Sequence, residues 1–259
     1  MGFKSSMIII NKPAGEIDEA ALLPALGFGN YSYAEDTTLE DCIYPRDKSV
    51  SFGRYNDSLI ICEDYLLTEV LETNGAPEAL AEYEKILTGL FPGSEVLTVA
   101  CHSATNWHLY ALAKDGERIR FKSISADTPV TEWGDRLEEE IAVYAHSKLI
   151  GGKLLFKSSW KDDEVYDNTE DQMMEDFAFG VAKRHLGVNI STGEDEELMS
   201  DTPFRKYTKP KRPAQPTAVK AAAPESIDAE PGASEAEPHA SPDMPAGKTV
   251  RPKPWWKFW

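Results

Sequence analysis

Two runs of alternating residues, Trp107–Lys114 and Glu117–Ser125, are separated only by Asp115-Gly116. A two-residue loop of this kind closes a β-hairpin, because Asp and Gly tolerate the positive φ that matches the strand twist. So short a loop also fixes the register. Counting back from it sets Leu112 opposite Ile119, Tyr110 opposite Phe121 and His108 opposite Ser123. On the other face Ala113 meets Arg118, Ala111 meets Arg120 and Leu109 meets Lys122. The first face is core-like. The second carries a basic stripe, Arg118, Arg120 and Lys122, with Trp107 near its end.

The rest of the N-terminal region agrees with a sheet of this kind. Ser6–Ile10 reads as a buried strand stopped by Pro13. Ser49–Tyr55 and Ser58–Cys62 flank a second tight turn, Asn56-Asp57, and Glu95–Cys101 precedes the hairpin. Helices are predicted over Ile17–Leu26, Pro77–Phe91, Leu137–Leu149 and Thr169–Leu186. Leu80, Tyr83, Leu87 and Leu90 form the apolar stripe of the second. Thr169 and Gln172 suit a capping box for the last, and Gly187 ends it. The fold class expected is α+β, a largely antiparallel mixed sheet flanked by helices and followed by a disordered tail.

The tail follows from composition. Ten of the 17 prolines fall between Pro210 and Pro254, with Ala, Ser, Glu and Gly filling most of the gaps. Such a segment cannot bury enough apolar surface to offset its ordering entropy. The expected organisation is an acidic globular domain over 1–200, a Pro/Ala-rich linker over 201–254 and an aromatic tip over 255–259.

Charge divides the same way. The whole chain carries −17. Residues 201–259 hold ten Lys/Arg against seven Asp/Glu, which leaves 17 against 37 in residues 1–200, a net −20. A domain that acidic repels nucleic acid and suits a basic partner, since phosphate contacts need Lys or Arg. Cys42, Cys62 and Cys101 are odd in number and lack C-x-x-C spacing, so neither a disulfide framework nor a zinc site is expected. Their scatter fits a reducing, cytoplasmic setting. Neither a signal peptide nor a membrane-spanning apolar run is read from the sequence. MGFKSS matches an acylation pattern with Gly2 as acceptor, and is read as a chance match because it runs straight into a strand.

No catalytic constellation emerges. Cys101 and His102 are adjacent in a strand and so point to opposite faces. His102 and His108 are separated by a turn, and His146 and His185 are placed singly on helices. The run Asp162–Asp176 packs eight carboxylates into 15 residues, but lacks the alternation and central Gly of a calcium loop. Gly27–Asn30 follows a helix instead of opening one, so it is no phosphate loop. No metal, no cofactor and no catalytic residue is assigned. The basic stripe either grips an acidic ligand or neutralises nearby carboxylates.

The closing residues Trp255, Trp256, Lys257, Phe258 and Trp259 are the strongest candidate for binding. Four partly buried aromatics contribute about 4–8 kcal/mol, and ordering five residues costs about 1–2 kcal/mol each. Alone the tip binds weakly. A linker of this length has a reach of roughly 35–40 Å, which raises its local concentration to the order of millimolar. Its expected docks are a groove on a partner protein, an anionic membrane surface helped by Lys248, Arg251, Lys253 and Lys257, or a groove of its own domain. The second makes the protein peripheral on the inner membrane face.

The stretch Cys101–Asp135, CHSATNWHLYALAKDGERIRFKSISADTPVTEWGD, with the helix around Asp171–Gly187, resembles a bacterial family of uncharacterised domains. There too an H-S-x-x-x-W run leads through a D-G hairpin into a Ser/Asp-rich turn. The likeness covers about residues 1–190. It implies a bacterial, intracellular setting and transfers no catalytic residue. The functional expectation is a non-enzymatic binding or adaptor protein that docks through its tip. The alternatives are an acidic inhibitor or immunity-type protein that masks a basic partner, and a hydrolase using Cys101 or His102.

Overall fold

The computed structural model describes residues 4–15, 17–43, 47–73, 76–125, 128–157, 165–190 and 197–210. The candidate tip Trp255–Trp259, the linker beyond residue 210 and Gly2 lie outside the described residues. The elements are β1 (Lys4–Ile10), α1 (Glu19–Ala25), β2 (Ser32–Thr37), α2 (Leu39–Ile43), β3 (Ser49–Tyr55) and β4 (Ser58–Glu63). Next come α3 (Glu69–Thr73), α4 (Glu82–Leu90), β5 (Glu95–His102), β6 (Trp107–Lys114), β7 (Glu117–Ser125) and β8 (Thr128–Trp133). Then follow α5 (Glu138–Tyr144), β9 (Ser147–Ile150), β10 (Lys153–Lys157), β11 (Tyr166–Asn168), α6 (Met174–Leu186) and β12 (Phe204–Thr208).

Nine strands form one sheet in the order β2-β12-β3-β4-β1-β5-β6-β7-β8, and β11-β10-β9 form a second. Every described pairing is antiparallel. The protein is therefore α+β with a large antiparallel sheet. Both faces of that sheet are covered. Met7, Ile9, Cys62, Val99 and Tyr110 pack beneath α2 and α6. Ile8, Ile10, Ile61, Val96 and Ala111 pack beneath α1 and α4. Burial on both sides explains why Met7–Ile10 is apolar at every position instead of alternating. Each of these side chains contributes about 1.5–3 kcal/mol by leaving water.

Several expectations need correcting. Residues past 200 do not all belong to a linker: Phe204–Thr208 is an internal strand between β2 and β3. Gly53 makes room for it, because a Cβ there would lie 2.5 Å from the Phe204 ring. The helix expected over Leu137–Leu149 stops at Tyr144, and its second half is β9, which pairs with β10 across Gly151-Gly152. Both glycines have positive φ, 59° and 78°, the geometry of a tight hairpin turn. The helix expected from Pro77 begins at Glu82, where the Glu84 carboxylate accepts from the Ala81 N–H at 2.8 Å. Thr169 N donates to Gln172 Oε1 at 2.8 Å as the capping box requires, but the helix proper starts at Met174.

The Asp115-Gly116 hairpin exists, with Ala113 opposite Arg118. Beyond that pair the register shifts by one: Leu112 faces Arg120, Tyr110 faces Lys122 and His108 faces Ile124. Ile119 is the extra residue of a β-bulge. Its carbonyl oxygen presses on Gly134, where a Cβ would stand 2.0 Å away, and Gly134 has φ 78°. Only glycine fits there.

Candidate functional site

The bulge splits the basic stripe. Arg118 turns to the α4 face of the sheet, while Arg120 and Lys122 turn to the α5 and α6 face. All three are buried. Arg118 Nη1 donates to Glu84 Oε1 at 2.7 Å, and Nη2 bonds Glu84 Oε2 and the Ala79 carbonyl, the latter at 3.1 Å. Arg120 grips Glu140 with two bonds of 2.9 and 2.6 Å and reaches Glu132 at 2.6 Å. It also donates to the Gly134 carbonyl at 2.9 Å. Burial opposes the Glu140 carboxylate, yet the Arg120 and Leu137 hydrogen bonds hold it below the usual carboxylate range. Lys122 donates to Glu170 at 2.7 Å, with its ammonium 4.1 Å from the Phe177 ring centre. Burial pulls its pKa below the usual lysine range in spite of Glu170. These cations are committed to internal partners, so they form no exposed patch for an acidic ligand.

Cys101 and His102 diverge as strand geometry requires. Cys101 stands opposite Ser5 on β1 and His108 on β6, while His102 stands opposite Lys4 and Trp107 on the other face. His108 is thus the cross-strand neighbour of Cys101, which adjacency in sequence hides. Counting back through the tight turn at Ser103–Asn106 would have found it. The pair is not activated. Burial pushes the Cys101 thiol well above its ordinary value, and Glu175 adds to this. Burial pushes His108 down to about 4, and its Nδ1 has no hydrogen-bond partner.

A different site lies at the β2 end of the sheet, where a cavity of about 420 Å³ opens. Strand register builds its floor: Glu35 on β2, Lys206 on β12, Ser51 on β3 and Cys62 on β4 stand in one row. Helix α2 adds Glu40, Asp41 and Cys42, the bend before β3 adds Asp47, β3 itself adds Ser49, and Asp36, Thr37 and Glu63 complete the lining. Among the described lining residues Lys206 is the one cation beside six carboxylates. Its Nζ sits 3.0 Å from Asp47 and 3.4 Å from Glu35. Burial works against that ammonium, but Asp47 and Glu35 outweigh it and raise its pKa. Asp47 is correspondingly lowered: burial opposes its charge, and hydrogen bonds from Ser49 and Lys206 prevail.

Deeper in, the lining turns to thiols and hydroxyls beside Glu63. Burial raises Cys42, and raises Cys62 far more, with Cys42 and Glu63 adding to the second shift. Both are thiols, not thiolates. Burial also raises Glu63, which accepts from Leu67 N at 2.9 Å, from Thr68 Oγ1 at 3.1 Å and from Ser6 Oγ. The mouth of the cavity is strongly anionic and its floor offers hydroxyl and thiol groups. Such a lining fits a cationic group and disfavours an anionic one. Among the described residues no cluster of three or more His, Cys, Asp or Glu is arranged to hold a metal. Among them, too, no helix is long and apolar enough to cross a membrane.

None of the cavity was assigned from sequence, because its lining runs from Glu35 to Lys206 without a local pattern. Comparison with protein-family models, with curated proteins and with solved structures finds no match to this chain.

Proposed function

We propose that this chain is a binding protein whose acidic domain receives a cationic partner at the cavity beside β2. One observation carries the reading: among the described residues Glu35, Glu40, Asp41 and Asp47 gather at a cavity whose lining holds one ammonium, Lys206. Three cations elsewhere are withdrawn from the surface, since Arg118, Arg120 and Lys122 are buried against Glu84, Glu140 and Glu170. The surplus negative charge therefore lies on the surface, where it steers a basic protein or peptide inward. The raised Cys101 supports binding over hydrolysis, because it stays a thiol and not the nucleophilic thiolate, and a His108 lowered to about 4 is a weak base for its proton. This is the behaviour of an inhibitor or immunity-type protein in a cytoplasmic setting.

A second reading rests on Trp255, Trp256, Lys257, Phe258 and Trp259. On it the tip anchors a tethered adaptor to a partner protein or to an anionic membrane surface. Deleting the five residues separates the two: the cavity reading predicts unchanged capture of a basic probe.

The test is fluorescence anisotropy with labelled octalysine. Glu35→Gln with Glu40→Lys should weaken binding severalfold more than Glu117→Gln with Glu138→Lys, which removes the same charge elsewhere. Equal weakening by both pairs contradicts the assignment of the cavity, because it shows only attraction to the overall charge.

A further inference from the structure

The cavity opens beside the last strand of the large sheet. Strand β2 pairs with β12 on one side, and it ends the strand order. Its other side presents main-chain groups with no described strand against them. An edge of this kind is a template for another strand. The opposite edge is defended, since β8 carries Pro129, which has no N–H to offer. Strand β2 contains neither Pro nor Lys, and five of its six residues are exposed.

What keeps the edge from pairing with a second copy of itself is charge. Glu35 and Asp36 would face their own kind, and like charges directly across a ladder repel. The same carboxylates favour an incoming strand with Lys or Arg at those positions. Geometry sharpens this. Glu35 and Thr37 lie on the cavity face, in register with Lys206 and Phe204. Asp36 lies on the other face, in register with Arg205. The register shift at Lys206/Tyr207 marks Ala34 as an extra residue in β2, so Glu35–Thr37 is the stretch left to align a new strand. A residue on the cavity face of that strand stands next to Glu35 and at the mouth bounded by Glu40 and Asp41.

We infer that β2 is the landing edge for an extended basic peptide, which adds as a tenth strand and sets alternate Lys or Arg side chains over the acidic cavity. The inference rests on the cavity reading above and names its partner: a peptide recognised through backbone hydrogen bonds along β2 and through cations at every second position.

The probe is a capped heptapeptide, Lys-Thr-Lys-Val-Lys-Thr-Lys, titrated into the full chain at low salt. Two further peptides carry N-methyl groups, one on the Lys nitrogens and one on the Thr and Val nitrogens. Alternate N–H groups of a strand point to opposite edges, so strand addition makes one methylated peptide bind like the parent and weakens the other about tenfold. Hydrogen exchange at Tyr33–Thr37 should slow with the parent peptide. Equal binding by all three peptides, or no slowing along β2, overturns strand addition and leaves the acidic cavity standing. Failure of all three to bind overturns both.

Discussion

The two ends of the large sheet treat the same pair of charges in opposite ways. At the β7 end each cation is drawn inside and matched with a carboxylate, so Arg118, Arg120 and Lys122 meet Glu84, Glu140 and Glu170. At the β2 end the carboxylates crowd a cavity mouth where Lys206 is the one cation among the described lining residues. The first arrangement has no charge left for a ligand. The second cannot balance itself with the groups it holds. Charged residues in a sequence therefore say little about binding until their partners are known, and here the basic stripe is structure while the scattered acids make the surface.

The largest effect should come from breaking that contrast at its buried end. Arg120→Met strands Glu140 in the interior, and urea denaturation should show a loss of about 3–5 kcal/mol. Lys206→Met removes a cation whose carboxylate partners are about half exposed or more, and should cost under about 1 kcal/mol. It should also tighten octalysine binding, because it removes the cavity's own cation. Similar losses of stability in both variants would erase the distinction between the two ends.

A smaller effect concerns the buried imidazole beside Cys101. His108 has its pKa lowered from 6.5 to about 4 by burial. The unfolded chain then binds this proton first, so stability is intact above pH 6.5 and falls as the pH drops toward 4. His108→Gln should flatten that acid limb by up to about 3 kcal/mol, seen as a shallower fall in urea midpoint with pH. An unchanged slope would show that His108 is not a source of the limb.

How much of this was legible depended on range. Asn56-Asp57 and Asp115-Gly116 announced their hairpins because two residues settle each turn. The bulge at Ile119 was hidden, since its cause is Gly134, fifteen residues on, whose lack of a Cβ admits the Ile119 carbonyl. Strand β9 was read as the end of a helix because Ser147–Ile150 becomes a strand only by pairing with Lys153–Phe156. Strand β12 has five residues beside a proline-rich segment, and its place depends on the gap left by Gly53. The cavity was hidden for a related reason. Its floor is a row across four strands, joining positions 35, 206, 51 and 62 only after the sheet has formed.

The most direct test of the contrast is a residue-resolved NMR titration of the full chain with octalysine. The amides of Glu35–Thr37, Glu40, Asp41 and Lys206 should shift together and saturate at one affinity, while those of Arg118–Lys122 stay in place. Shifts spread evenly over the acidic surface, or centred on β7 with β2 and α2 unmoved, would contradict the account.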